Sequence, residues 1–211
     1  MNKLNKHYYK DELFKIEEQM IPIAISFLKQ YYPNSEVEII ESYTKDNLTN
    51  KELQDKHVDI KLHLLDQQRT VYIDLKASIK EYNFLTFELI RKNIKNNIIK
   101  PGWTELVKEF PLEDQYVLFV SYSECILVQK LRFNEARNKY LKVFKLDDIQ
   151  WWPDKGCKHL YKKNKLFYFS RKFDIEMLKC IGVKYYLKEE GRWKMINLDK
   201  VFKLKQKKRA I

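Results

Sequence analysis

Between His57 and Ser78 apolar and polar residues alternate in two short runs. Val58, Ile60, Leu62 and Leu64 take every second position of the first, and Val71, Ile73 and Leu75 those of the second. The polar stretch Asp66-Gln67-Gln68-Arg69 separates them. A period of two places such side chains on one face of an extended chain, so the region predicts a β-hairpin with one apolar face. Asp59, Asp74 and Lys76 fall on the opposite positions. Asp74 and Lys76 are two residues apart and share a face.

The pattern changes upstream. Leu13, Ile16, Met20, Ala24 and Phe27 recur at helical spacing from about Asp11 to Tyr32, ahead of Pro33-Asn34-Ser35. Pro22 inside this run predicts a kink or break, and the alternation of Ile21, Ile23 and Ile25 keeps a short strand open there. Glu17 falls within the apolar stripe, between Leu13 and Met20, either as an edge-of-core glutamate paired to a lysine or as a site residue. Glu36 to Tyr43 reads as a strand, and Thr44 to Lys56 as a polar loop or a short turn of helix. Beyond the hairpin, Phe84, Phe87, Ile90, Ile94 and Ile98 predict a second amphipathic helix over about Asn83 to Ile99, ended by Pro101-Gly102. Gln115 to Tyr122 is rich in β-branched and aromatic residues, as in a buried strand. Cys125 to Gln129 predicts another strand and Asn134 to Tyr140 a short helix.

Composition narrows the class. Hydrophobic residues make up 45% and aromatics 14% of the 211 positions, with Gly 4 and Pro 5, so the chain predicts a folded protein with few flexible linkers. Lys+Arg 41 against Asp+Glu 29 gives a net charge of +12, which points to a polyanionic partner. Nucleic acid leads, ahead of an anionic membrane surface. Cys125, Cys157 and Cys180 are odd in number and show no C-x-x-C pair, which excludes a disulfide framework or a zinc knuckle and suits a reducing cytoplasm. No stretch approaches the ~20 apolar residues of a membrane span, and the N-terminus lacks an apolar signal core. The expected location is therefore intracellular, with no membrane partner.

A carboxylate near the middle of each strand, with a lysine beside one of them, is unusual for residues of low strand propensity. Metal-dependent phosphodiester hydrolysis explains it. Asp59 and Asp74 could hold a hard cation such as Mg2+, and the Lys76 ammonium could hold the attacking water and offset charge on the phosphorane. The alternative is a solvated strand face on which Asp74 pairs with Lys61 or Lys76 in water. No glycine-rich phosphate loop, Ser-His-Asp arrangement or heptad run competes.

Asp59 followed by Asp74-Leu75-Lys76, in the element order helix, strand, strand, strand, helix, strand, resembles the PD-(D/E)XK nuclease superfamily, which includes restriction endonucleases, junction resolvases and phage nucleases. The resemblance covers about Lys10 to Tyr122. Val58 stands where the motif's proline would be, and the second predicted helix lacks the Gln-x-x-x-Tyr signature of the RecB-like branch. The resemblance implies an α+β mixed sheet with a restriction-endonuclease-like αβββαβ core. It also implies Mg2+, with Mn2+ able to substitute, held by Asp59, Asp74 and the Leu75 backbone carbonyl. Lys76 would orient water, and Glu17 would match the first-helix glutamate of many members. The implied activity is a metal-dependent endonuclease, a phosphodiesterase with double-stranded DNA as the expected substrate. DNA against RNA stays open, as does a homodimer in which two chains cut both strands.

The division expected from sequence is 1–130 for the nuclease-like core and 131–211 for a basic, aromatic-rich α+β extension. Arg91 falls on the apolar side of the second predicted helix, with a reach towards phosphate or an edge-running stem as its two readings. In the extension Lys162, Lys163, Lys165, Arg171 and Lys172 interleave with Phe167, Tyr168 and Phe169, a pattern suited to nucleic-acid contacts or to a small subdomain core. Lys207, Lys208 and Arg209 end a basic tail that is either a backbone-contacting arm or a solvated terminus. The rival to the enzyme is a non-catalytic nucleic-acid-binding or inhibitor protein on the same fold.

Overall fold

The computed structural model of the protein describes residues 4–40, 50–82, 86–93, 98–140, 160–161, 166–172, 178–179 and 181–201. Its elements are α1 (Leu4–Tyr31), β1 (Ser35–Ile39), α2 (Lys51–Asp55), β2 (Ile60–Leu64), β3 (Arg69–Ala77), β4 (Thr86–Asn93), β5 (Ile98–Pro101), a 3-10 turn (Leu112–Asp114), β6 (Gln115–Val120), β7 (Glu124–Gln129), α3 (Lys130–Tyr140), β8 (Leu160–Tyr161), β9 (Leu166–Lys172), β10 (Lys184–Glu189) and β11 (Arg192–Ile196). The class is mixed α and β, with a seven-stranded mixed sheet and few helices.

The chain forms two compact units, each discontinuous in sequence. One comprises Met1–Tyr82, Tyr116–Leu127 and Lys184–Ile211, and the other Asn83–Gln115 and Val128–Val183. The chain passes from the first unit to the second at 82–83 and 127–128 and returns at 115–116 and 183–184.

The first unit is built on the sheet β1-β2-β3-β6-β7-β10-β11. Its β2–β3 hairpin is antiparallel, with Ile60 opposite Ile73 and Leu62 opposite Val71. Ile60, Leu62 and Leu64 are buried and Lys61 and His63 are half-buried, as the alternation requires. Gln68 takes a positive φ of 48° in the connecting turn. The β10–β11 hairpin turns through Glu190 (φ 51°) and Gly191 (φ 78°), the doubly left-handed geometry that matches the twist of its strands.

Helix α1 continues through Pro22, so the strand alternative there does not form. Met20, Ala24, Phe27 and Leu28 have no accessible surface and join the core with Ile60, Leu62, Val71, Ile73 and Leu118. The Phe27 ring meets Tyr186 edge-on at 4.9 Å and Trp193 at 5.7 Å between centroids. Next along α1, the Gln30 side-chain amide donates to the Trp193 carbonyl at 2.9 Å and accepts the Trp193 N–H at 3.0 Å, occupying backbone groups of the edge strand β11.

The second unit corrects one expectation. Within the helix expected over 83–99 the described residues are strand: β4 pairs with β5 (Ile90 opposite Pro101, Lys92 opposite Ile99) and with β9 (Arg91 opposite Tyr168, Lys92 opposite Phe167) in the sheet β5-β4-β9-β8. Phe87 and Ile90 fit a helical period, but they are also residue types that suit a pleated surface. Pairing with the aromatic β9 decides the outcome. The αβββαβ order therefore lacks its second helix among the described residues.

Truncating Phe27 to Ala removes a ring from this core and should cost about 3–5 kcal/mol. Leu65, 55% exposed, should tolerate Ala within about 0.5 kcal/mol. Urea unfolding of the two variants checks both.

Candidate active site

Strand β3 outruns β2. The last register pair is Ile60 with Ile73, and one further bond, Asp59 N–H to the Ile73 carbonyl at 2.9 Å, closes the ladder. On its other side the Asp59 carbonyl accepts the Ile40 N–H at 2.8 Å. This pins the Asp59 backbone and sends its side chain along β3, where Oδ2 accepts the Leu75 N–H at 2.7 Å. An aspartate suits this position because its short acceptor replaces the missing strand.

Asp74, next along β3, is only 2% exposed. Lys76 Nζ donates to its Oδ1 at 2.6 Å and keeps 29% of the lysine side chain accessible. Asp74 Oδ2 is buried with no hydrogen-bond partner. A buried carboxylate oxygen without a donor is costly. The solvated-face alternative does not describe Asp74.

Glu17 comes to the same cluster from α1, half-buried. Burial raises its carboxyl above the ordinary range, opposed by the Lys76 ammonium and aided by the Asp74 charge. Burial, then the Asp74 charge, pushes Asp59 up to about 8, against the pull of Lys76 and the Leu75 N–H. Burial disfavours the Lys76 charge, yet Asp74, Asp59 and Glu17 together hold its ammonium above the usual lysine range. Three carboxylates against one ammonium leave the cluster two charges short of neutrality when all are ionised, which adds to burial in raising Asp59.

Among the described residues no group of three or more His, Cys, Asp or Glu side chains is spaced to hold a metal ion. Magnesium asks for less, one or two carboxylates with water completing its shell. The unpartnered oxygen of Asp74 is a donor of that kind.

Three of the residues expected to contact nucleic acid are on described strands of the second unit. Arg91 is on strand β4 and not on a helix, and Arg171 and Lys172 are on the adjacent β9, opposite Phe87 and Thr86. Lys162, Lys163, Lys165, Lys207, Lys208 and Arg209 fall outside the described residues. Sequence reasoning missed Tyr82 and Glu124. The Tyr82 hydroxyl donates to the Lys76 carbonyl at 2.6 Å, and Glu124 Oε2 accepts the Tyr82 N–H at 2.6 Å. Only a glutamate at the head of the apolar run Cys125 to Val128 hinted at it.

No protein-family profile matches this chain, and comparisons with characterised proteins and with solved structures give no match.

Because the folded protein holds the Asp59 proton up to about pH 8 while the unfolded chain releases it near 3.8, the folded state binds more protons in that window. Asp59 thus contributes stability that is present below pH 3.8 and lost as pH rises to about 8. With chelator present, Asp59→Asn should gain in Tm relative to the parent as pH rises across this range. A constant Tm difference between the two would show that Asp59 ionises normally.

Proposed function

We propose that the protein is a divalent-metal-dependent endonuclease, a hydrolase of phosphodiester bonds with double-stranded DNA as its substrate and a core related to the PD-(D/E)XK nucleases. The observation that carries this reading is the buried Asp74 carboxylate, with one oxygen paired to Lys76 and the other unpartnered, in electrostatic contact with Asp59 and Glu17. The net charge of +12 supports a polyanionic substrate. In this reading α1, β1, the β2–β3 hairpin and β6 correspond to the core, and the chain between β3 and β6 replaces its second helix.

Held by Asp59, Asp74 and the Leu75 carbonyl, Mg2+, or Mn2+ in its place, would supply positive charge at the phosphate oxygens and acidify water. Lys76 stays an ammonium beside three carboxylates, so it acts as a hydrogen-bond donor and not as a base. It orients the attacking water and offsets charge gathering on the phosphorane. Glu17 accepts hydrogen bonds from water in the same cluster. The water oxygen bonds to phosphorus, the bond to the leaving oxygen breaks, and the proton passes to solvent. Cutting both strands calls for two such sites, which a homodimer would supply.

The absence of a ready three-ligand group among the described residues favours the other reading, a non-catalytic nucleic-acid-binding or inhibitor protein on this fold. Plasmid cleavage with Mg2+, with Mn2+ and with chelator separates the two. Asp74→Asn should abolish cleavage while DNA affinity stays level or rises, since one charge that repels phosphate is gone. Cutting at the parental rate would refute the site.

The basic tail should behave in the opposite way. Deleting Lys203 to Ile211 removes Lys203, Lys205, Lys207, Lys208 and Arg209. Each lost phosphate contact should reduce the slope of log affinity against log salt by about 0.9, and single-turnover cleavage at saturating DNA should survive. An unchanged slope would refute the arm.

A further inference from the structure

The stretch Leu75-Lys76 is held from both sides by side chains. Alternate residues of a strand present their backbone groups to opposite neighbours. Towards β2, which has already ended, the Leu75 N–H is taken by Asp59 Oδ2 at 2.7 Å. Towards β6, the Ser78 N–H reaches the Val120 carbonyl at 2.9 Å. Between these two strands sits the Tyr82 hydroxyl, 2.6 Å from the Lys76 carbonyl and 3.2 Å from that of Val120. One hydroxyl thus meets the Lys76 backbone and the end of β6 together.

Tyr82 is itself fixed. Its ring meets Phe119 edge-on at 5.5 Å, and its N–H donates to Glu124 Oε2 at 2.6 Å. Glu124 is 1% exposed, and its other oxygen accepts the Tyr185 hydroxyl. The Ser121 hydroxyl accepts the Glu124 N–H at 3.1 Å, which anchors the glutamate in the β6–β7 turn. A buried carboxylate with this many donors is a rigid point, and the segment after β3 hangs from it.

We infer that Tyr82, held by Glu124, is a positioning residue for Lys76: the hydroxyl sets the backbone from which the lysine reaches Asp74. The inference rests on the nuclease reading only for its consequence in catalysis, since the brace itself acts on the Lys76–Asp74 ion pair. Placement errors on the order of 1 Å can cost about 100-fold in rate, so losing one hydroxyl can matter without any contact to substrate.

The test uses the full chain and two readouts. In chelator, without DNA, the lysine ammonium resonances are recorded by 15N–1H spectroscopy and Lys76 is assigned with Lys76→Arg. A persistent Lys76 signal is expected in the parent, broadened or lost in Tyr82→Phe, which keeps the ring on Phe119. Val71→Ala trims the core near the start of β3, where Val71 lies opposite Leu62 and away from the brace, and should leave the signal intact. An absent signal in the parent, an unchanged signal in Tyr82→Phe, or equal loss in Val71→Ala would overturn the inference.

The second readout is single-turnover cleavage with Mg2+. Tyr82→Phe should lower the rate at saturating DNA by about 10- to 100-fold with half-saturation unchanged. If the resonance changes as expected while the parent cleaves nothing, the nuclease reading fails and the brace stands. If Asp74→Asn abolishes cleavage but Tyr82→Phe alters neither readout, the brace fails and the nuclease reading stands.

Discussion

Asp74 places a carboxylate where water is excluded, and such a charge must be neutralised or paired. The Lys76 ammonium pairs one oxygen at 2.6 Å. The second oxygen has no partner; burial raises the carboxyls of Asp59 and Glu17, and the Asp74 charge adds to both. With burial, this charge bears on the protonation of Asp59, Glu17 and Lys76. Removing Lys76 would leave it uncompensated. Adding a cation would satisfy it, and the proposed activity follows from that asymmetry.

The surrounding sheet supplies rigidity through apolar packing. Alternation along β2 and β3 buries Ile60, Leu62, Val71 and Ile73 with Met20, Phe27 and Leu28 of α1. Each fully buried side chain of this size contributes about 1.5–3 kcal/mol. Phe27 reaches Tyr186 and Trp193, so the C-terminal hairpin β10–β11 belongs to the same core as the first helix. Gln30 occupies the edge backbone at Trp193. These contacts hold α1 in place, and with it Glu17, one helical turn before Met20.

The polar brace on the far side of β3 complements that packing. Asp59 takes the Leu75 N–H where β2 has ended, and the Tyr82 hydroxyl donates to the Lys76 carbonyl. Splayed strand ends leave unsatisfied backbone groups, and side chains that satisfy them are fixed in consequence. The candidate site therefore lies where the sheet opens, with its side chains oriented by backbone demand as much as by one another.

The β2–β3 hairpin and most of α1 were legible in the sequence because they rest on periods of two or 3.6 residues, and β6 because a run of β-branched and aromatic residues marks a buried strand. So were the identity and order of Asp59, Asp74 and Lys76. Whether Thr86–Asn93 became helix or strand was not, since Phe87 and Ile90 fit a helical period yet are residue types that also suit a strand, and only the pairing of β4 with β9 settled it. The burial of Asp74 was equally hidden: alternation tells which residues share a face, but not what covers that face. The hydrogen bonds of Tyr82 to Glu124, Tyr185 to Glu124 and Gln30 to Trp193 join residues 42, 61 and 163 positions apart. Local propensity carries no record of such distances, so the geometry around the two aspartates and the lysine came from tertiary packing alone.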